Sequence, residues 1–214
     1  NLLAAGIAYF RAADRPIAQP VYVRGVLGVV GGGLFLMLLA APWNPLLMTA
    51  GTYKYVYQLN DRTRAGVYEQ NVEPYDLLYY AEGLTSVVTV AEHREDGDRV
   101  LANNGKIDAS NKSDMPTQVL VSHMPFFYRP KAEKILMVGL AAGYSAGAVV
   151  LHNGPTDIDL VEIEGTIIPA SRFFDEWNHR PLEDPRVNMI VNDARNELNL
   201  QEPGTYDLII SEPS

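Results

Sequence analysis

The 214-residue chain contains no cysteine, which excludes disulfides, thiolate metal sites and cysteine nucleophiles and fits a reducing compartment. Cations are also scarce: 17 Lys and Arg against 26 Asp and Glu leave a formal net charge of −9. A nucleic-acid surface needs clustered Lys and Arg to displace counterions, so no nucleic-acid partner is expected. A small polycationic or zwitterionic substrate suits that charge better. Only four histidines are present, and none are paired at metal-ligand spacing, so no metal is expected. His123 reads as a half-buried structural residue and His152 as a helix C-terminal cap favoured by the helix dipole; His93 and His179 fall in polar loops. No internal repeat or low-complexity segment is present.

Charge is missing locally as well. From Gly25 to Tyr53 there is no charged residue, and "GVLGVVGGGLFLMLLAA" is apolar or glycine throughout. With Pro42–Met48 this run reaches the roughly 20 residues that span a bilayer, so a transmembrane helix is expected over about 25–48. The competing reading is a buried core helix, which Gly31, Gly32 and Gly33 would weaken in water but not in a membrane, where small residues let helices pack closely. The opening "NLLAAGIAYFRAADR" reads as the tail of an earlier apolar helix. Residues 1–50 are therefore expected to be a membrane region, and the chain a piece of a larger multi-pass protein of the cell inner membrane. Arg11, Arg15 and Arg24 before the run balance Lys54, Arg62 and Arg64 after it, so charge does not set an orientation. Tyr53, Tyr55 and Tyr57 alternate as in a short strand or an interfacial aromatic belt, and 51–76 reads as a polar linker.

From Leu77 the pattern is β. "LLYYAEGLTSVVTVAEH" and "RVLANNGKIDAS" are β-branched runs set off by the turn signals "REDGD" and "NNG", predicting a β-hairpin domain over 77–112. "SDMPTQVLVSHMPFFYRP" follows as a helix, with Asp114 placed to cap it and Pro116 tolerated in its first turn. From Lys134 strands and helices alternate: "KILMVGL", "YSAGAVVLHN", "DIDLVEIE", "TIIPASRFFDEWN", "RVNMIVND", "ARNELNL", "YDLIISEPS". That order predicts a parallel α/β sheet over 113–214, the first half of a doubly wound fold.

Ligands of such sheets sit beyond the carboxyl ends of the strands, and four clusters fall there. "GLAAGYSAG" places Gly139, Ala141 and Gly143 in a tight turn before a helix N-terminus, a ready anion and nucleotide site. Glu162 ends the second strand, 23 residues beyond Gly139, where an acid can accept both ribose hydroxyls; a solvated strand end is the competing reading. Asp193, followed by Ala194, ends the third strand and can accept from an adenine amino group, cap the next helix, or both. Glu212 ends the fourth strand. The first turn is not G-x-G-x-x-G, which disfavours a dinucleotide. Acids closing strands two and three point instead to an S-adenosylmethionine-type ligand and a methyltransferase-like, Rossmann-like sheet.

Through these motifs the segment from about Leu77 to Ser214 resembles the spermidine synthase (polyamine aminopropyltransferase) family, in its bacterial membrane-fused form, truncated at both ends. "GLAAGY" stands for the family's usual G-G-G-D-G-G loop and "EPS" for the start of its D-S-S-D-P motif. The resemblance implies transfer of a group from decarboxylated S-adenosylmethionine, or S-adenosylmethionine itself, to a polyamine-type amine. It makes Glu162 the ribose contact, Asp193 the adenine contact and Glu212 the catalytic carboxylate. Thr117 stands where the family has a tyrosine, beside the retained Gln118, and both are expected at the amine substrate. Ala142 replaces the loop aspartate. A cytoplasmic catalytic domain, a membrane partner through N-terminal helices and a homodimer complete the expectation. A methyltransferase and a non-catalytic ligand-binding domain are the rival readings.

Overall fold

The structure, a computed structural model, describes residues 19–39 and 44–212; expectations for residues 1–18, 40–43, 213 and 214 lie outside them. The chain divides into two units at Trp43 and Asn44. In the first, α1 (Gln19–Leu39) is a 21-residue helix whose large apolar side chains from Tyr22 to Met37 are exposed. Among the described residues no helix is long and apolar enough to cross a membrane. The single helix expected over 25–48 is not formed. α1 ends at Leu39 and a separate short helix, α2 (Pro45–Met48), begins with Pro45. Proline is favoured at a first helical position but breaks a helix interior, and the Asn44 side chain accepts from the Leu47 amide at 3.2 Å to start the new turn.

The second unit departs from expectation at its start. Instead of a linker, 51–74 carries α3 (Thr52–Tyr55), a 3-10 turn over Val56–Gln58 and α4 (Arg64–Asn71). Tyr53, Tyr55 and Tyr57 therefore lie on helical backbone, not on a strand. The Thr63 hydroxyl caps α4 by accepting from the Gly66 amide at 3.2 Å. The segment is tied to the sheet that follows: the Ile107 amide donates to the Tyr55 hydroxyl at 3.0 Å.

That sheet is an antiparallel meander of β1 (Tyr75–Glu82), β2 (Val87–His93), β3 (Arg99–Asn103) and β4 (Lys106–Ser110). Side chains alternate across a strand, so the sheet has two faces. Val88, Val90 and Leu101 enter the main hydrophobic core, while Thr89, Ala91, Val100 and Ala102 face the helical segment before it.

The α/β half follows as α5 (Met115–Tyr128), β5 (Lys134–Val138), α6 (Tyr144–Val150), β6 (Asp157–Glu162), α7 (Ile167–Ser171), β7 (Val187–Val191), α8 (Ala194–Asn199) and β8 (Leu208–Ser211). All four strands are parallel, in the order β7-β6-β5-β8. Ile135, Met137, Ile158, Leu160 and Ile210 share one core with the meander. The chain runs outward from β5 through β7, then returns to place β8 on the other side of β5. That reversal is the topological switch point, where such sheets hold their ligands.

The two sheets are stapled by Glu164. Its carboxylate accepts from the Thr85 amide (2.8 Å) and hydroxyl (2.8 Å) and the Ser86 amide (3.2 Å) of the β1–β2 turn. It also accepts from the Thr166 amide (3.1 Å) and hydroxyl (2.9 Å). Burial alone would raise its pKa, but these hydrogen bonds to the ionised form outweigh burial and lower it to about 2.

Candidate functional site

The strand ends at the switch point are built around β5. Gly139 follows it with φ +93, and a Cβ there would stand 3.0 Å from the Glu212 carbonyl oxygen. Glycine thus permits both the turn and the approach of the chain leaving β8, whose Glu212 amide donates to Val138 O at 3.2 Å. The loop continues through Ala141 (φ +44) to Gly143 (φ +80), which starts α6 in a left-handed conformation. Buried Asn178 braces this loop by donating from Nδ2 to Ala142 O at 2.9 Å.

Glu162, buried at the end of β6, accepts from the Leu140 amide (2.9 Å) on one oxygen and the Glu164 amide (3.0 Å) on the other. It therefore pins the glycine loop to its own strand. Each carboxylate oxygen has two lone pairs, so acceptor capacity remains toward the cavity that Glu162 lines. Asp193 caps α8, its Oδ1 accepting from the Asn196 amide at 3.0 Å, which leaves Oδ2 for another partner.

Glu212 is held from the other side. The Ser145 hydroxyl contacts both Glu212 Oε2 and the Gln118 carbonyl, the latter at 3.1 Å; its single proton serves one acceptor at a time. Burial raises the Glu212 pKa and the Ser145 hydrogen bond opposes that rise. A carboxylate so placed is a stronger base than a solvated one.

A cavity of about 310 Å³ lies over these strand ends, lined by Gly139, Ala141, Glu162, Asp193, Ala194 and Glu212 among others. Six of the nine residues singled out from the sequence thus converge on one space. The other three do not line it. Gly143 shapes the turn behind the loop, where a Cβ would meet Asn178 Nδ2 at 3.0 Å. Thr117 is exposed on α5. Gln118 is buried, its side-chain amide donating to Asp108 O at 3.1 Å, and only its carbonyl approaches the site through Ser145. Ala142, at the position of the family's loop aspartate, is fully buried in the core.

Sequence reasoning missed Asn103, Ile163 and Asn192, which also line the cavity. Asn103 was read only as part of a turn. It lies two residues beyond Leu101, hence on the core face of β3, and that period-2 spacing was the available signal. Its Nδ2 donates to Asp108 Oδ2 (2.6 Å) and its Oδ1 accepts from Ser86 (3.1 Å), so the meander contributes a fixed amide to the site. The cap expected of Asp114 is absent: its side chain makes no cap hydrogen bond, although Pro116 does sit in the first turn of α5. His152 does not cap α6 either. Arg186 does, donating to Val150 O (2.5 Å) and His152 O (3.0 Å). His152 instead stacks on Phe126 and lies 2.9 Å, nitrogen to nitrogen, from His123. Its pKa is lowered by burial and by His123, the reverse of what a cationic cap requires. Among the described residues no group of three or more His, Asp or Glu could hold a metal ion.

A parallel sheet with a glycine turn after its first strand and acids closing the others defines an α/β domain of the Rossmann-like methyltransferase class. Comparison with known proteins narrows this. Residues 115–214 match the model of the spermine/spermidine synthase domain. The spermidine synthase of Dictyostelium discoideum is 30% identical over 115 residues, covering 54% of this chain and 40% of that protein. Putrescine N-methyltransferase 1 of Nicotiana tabacum is 27% identical over 116 residues, covering 54% of this chain and 31% of that protein. The crystal structure of spermidine synthase from Thermotoga maritima shares the fold with a TM-score of 0.58 at 21% identity, over 64% of this chain and 48% of that one. The chain thus spans well under half the length of these curated relatives.

Proposed function

We propose that this chain carries the co-substrate half of an aminopropyltransferase of the spermidine synthase kind. It would transfer a group from decarboxylated S-adenosylmethionine, or S-adenosylmethionine itself, to a polyamine-type amine. The observation that carries this reading is the placement of Glu212 beside Gly139, in the same cavity as Glu162 and Asp193. The donor set fits an adenosyl group: spare carboxylate lone pairs on Glu162 for ribose hydroxyls, a spare Asp193 oxygen for an amino group, and exposed Ile163 for a ring face. The bound co-substrate would supply an electrophilic carbon next to its sulfonium. The remaining work falls to the chain. Glu212 attracts the acceptor ammonium, takes its proton and exposes the nitrogen lone pair, while Ser145 keeps the carboxylate aimed. An ammonium of pKa near 10 needs such a base at neutral pH.

The test is release of methylthioadenosine from decarboxylated S-adenosylmethionine and putrescine by a protein extended to the full length of its relatives. Glu212→Gln should lower turnover by roughly 10²–10⁴-fold while leaving methylthioadenosine binding intact, and Glu212→Asp should lose less. No product with any common polyamine would overturn the transferase reading in favour of a binding domain, which exposed Thr117 favours.

A methyltransferase is the second reading, favoured by the buried Ala142 and by the Nicotiana relative. An intact S-adenosylmethionine carboxylate would have no loop aspartate to repel it. Release of S-adenosylhomocysteine in place of methylthioadenosine decides between them.

Membrane attachment is a further part of the proposal, resting on the uncharged run from Gly25 to Tyr53 and the exposed apolar side chains of α1. We place the α/β domain on the cytoplasmic side of the inner membrane, where adenosyl sulfonium compounds are made. Retention in the membrane fraction through an alkaline wash supports attachment, and release by salt alone would overturn it.

A further inference from the structure

The second face of the meander borders a separate cavity, partly open to solvent. Thr89 and Ala91 of β2 and Val100 and Ala102 of β3 form its floor, and the helical segment from Leu46 to Asn71 roofs it; its volume is about 290 Å³. It exists because the floor is small. On the opposite face of the same strands Val88, Val90 and Leu101 fill the core completely, whereas two alanines, a threonine and a valine cannot reach the helices above them.

The roof is fastened. The Asn71 amide donates to Ala50 O at 3.1 Å, and Tyr55 is tied to Ile107. Gly51 and Gly105 meet backbone to backbone: a Cβ on Gly105 would lie 2.6 Å from the Gly51 nitrogen. The chamber is therefore held open by named contacts and cannot close by a side-chain shift. Interiors are otherwise close-packed, and a void of this size loses the contacts that stabilise a core.

No charged side chain lines it, so an ion would give up part of its hydration there without gaining a charged partner. Polar groups are present. Thr89 is 4% exposed, and its hydroxyl makes no hydrogen bond among the described residues; Tyr55 and Gln70 stand at the walls. We infer that this chamber is a binding site for an uncharged, mostly apolar small molecule bearing a hydroxyl or carbonyl group, with Thr89 as its polar anchor. A cavity of about 150 Å³ lined by apolar side chains takes up benzene, so the space here suits a two-ring compound. The site lies on the face of the meander turned away from the strand-end cavity, and the inference is independent of the reaction proposed above.

The experiment titrates the full chain calorimetrically with 1-naphthol and with 1-naphthoate as its charged counterpart. Saturable one-to-one binding of naphthol, at least tenfold tighter than naphthoate, is expected. Ala102→Phe, which fills the chamber from the floor, should abolish it, and the isosteric Thr89→Val should weaken it about tenfold. Far-UV circular dichroism and the melting temperature establish that each variant is folded. Non-saturable uptake, equal affinity for naphthoate, or binding unchanged in a folded Thr89→Val protein would overturn the inference. If Ala102→Phe does not fold, Thr89→Val and the charge discrimination decide it.

Discussion

The Ser145 hydroxyl donates to Oε2 of Glu212, joining the first turn of α6 to the end of β8 across the switch point. This contact stabilises the ionised carboxylate against the burial that raises its pKa. Ser145→Ala removes the hydrogen bond that opposes that rise, so the Glu212 pKa should move further up. The acid limb of the pH–rate profile should shift to higher pH, so the loss of turnover relative to wild type should be largest on that limb. A purely structural serine would change stability and leave the profile where it was.

On the proposed function, Asp193 has two separable roles, as helix cap and as ligand contact. Asp193→Ser keeps an oxygen able to cap the Asn196 amide, so stability should change by only a few tenths of a kcal/mol. The same variant loses the second carboxylate oxygen, and methylthioadenosine binding should weaken by about 1–3 kcal/mol. Asp193→Ala should lose both, with about 1 kcal/mol of stability going with the cap. Calorimetry and thermal melts on the three proteins separate the roles, and an unweakened Ser variant would remove Asp193 from the ligand site.

Glu164 predicts an acid-dependent staple. Its folded-state pKa of about 2 lies below its ordinary value of 4.5. Its contribution is therefore complete above pH 4.5 and disappears as the pH falls through 2. Glu164→Gln turns an all-acceptor group into one that presents an N–H to the donors of Thr85 or Thr166, costing about 1–3 kcal/mol at neutral pH. The difference in melting temperature between wild type and variant should shrink steadily from pH 4.5 downward. A constant difference would mean that the charge of Glu164 contributes nothing.

Among the glycines of the α/β half, Gly147 leaves the least room for a side chain. A Cβ there would fall 1.9 Å from the Asn178 carbonyl oxygen, a backbone atom that cannot rotate away. Gly147→Ala gains helix propensity but must push α6 off the Asn178 loop, which also braces Ala142. The net loss should be about 1–3 kcal/mol. Denaturant unfolding measures it, and a neutral or stabilised variant would show that the contact is loose.

The sequence by itself determined the meander, the alternation of strands and helices and the four strand-end clusters, because each depends on local signals. Period-2 apolar runs, turn residues and acids at strand ends are all legible within about ten residues. Gly139, Ala141, Glu162, Asp193, Ala194 and Glu212 were found this way, and they line one cavity. Tertiary packing decided the rest. Nothing local shows that Ser145 reaches Glu212 or that Asn103 of the meander enters the site, since those pairs meet only when β8 returns beside β5 and the two sheets dock. The segment 51–74 lacks a long amphipathic period and reads as linker, yet it becomes helical where it has the small-residue face of the meander to cover. The cap expected of His152 falls to Arg186 for the same reason: a helix end is capped by whichever cation the fold brings to it. Arg186 arrives in the turn just before β7, held by Asp184, while burial and the neighbouring His123 lower the pKa of His152.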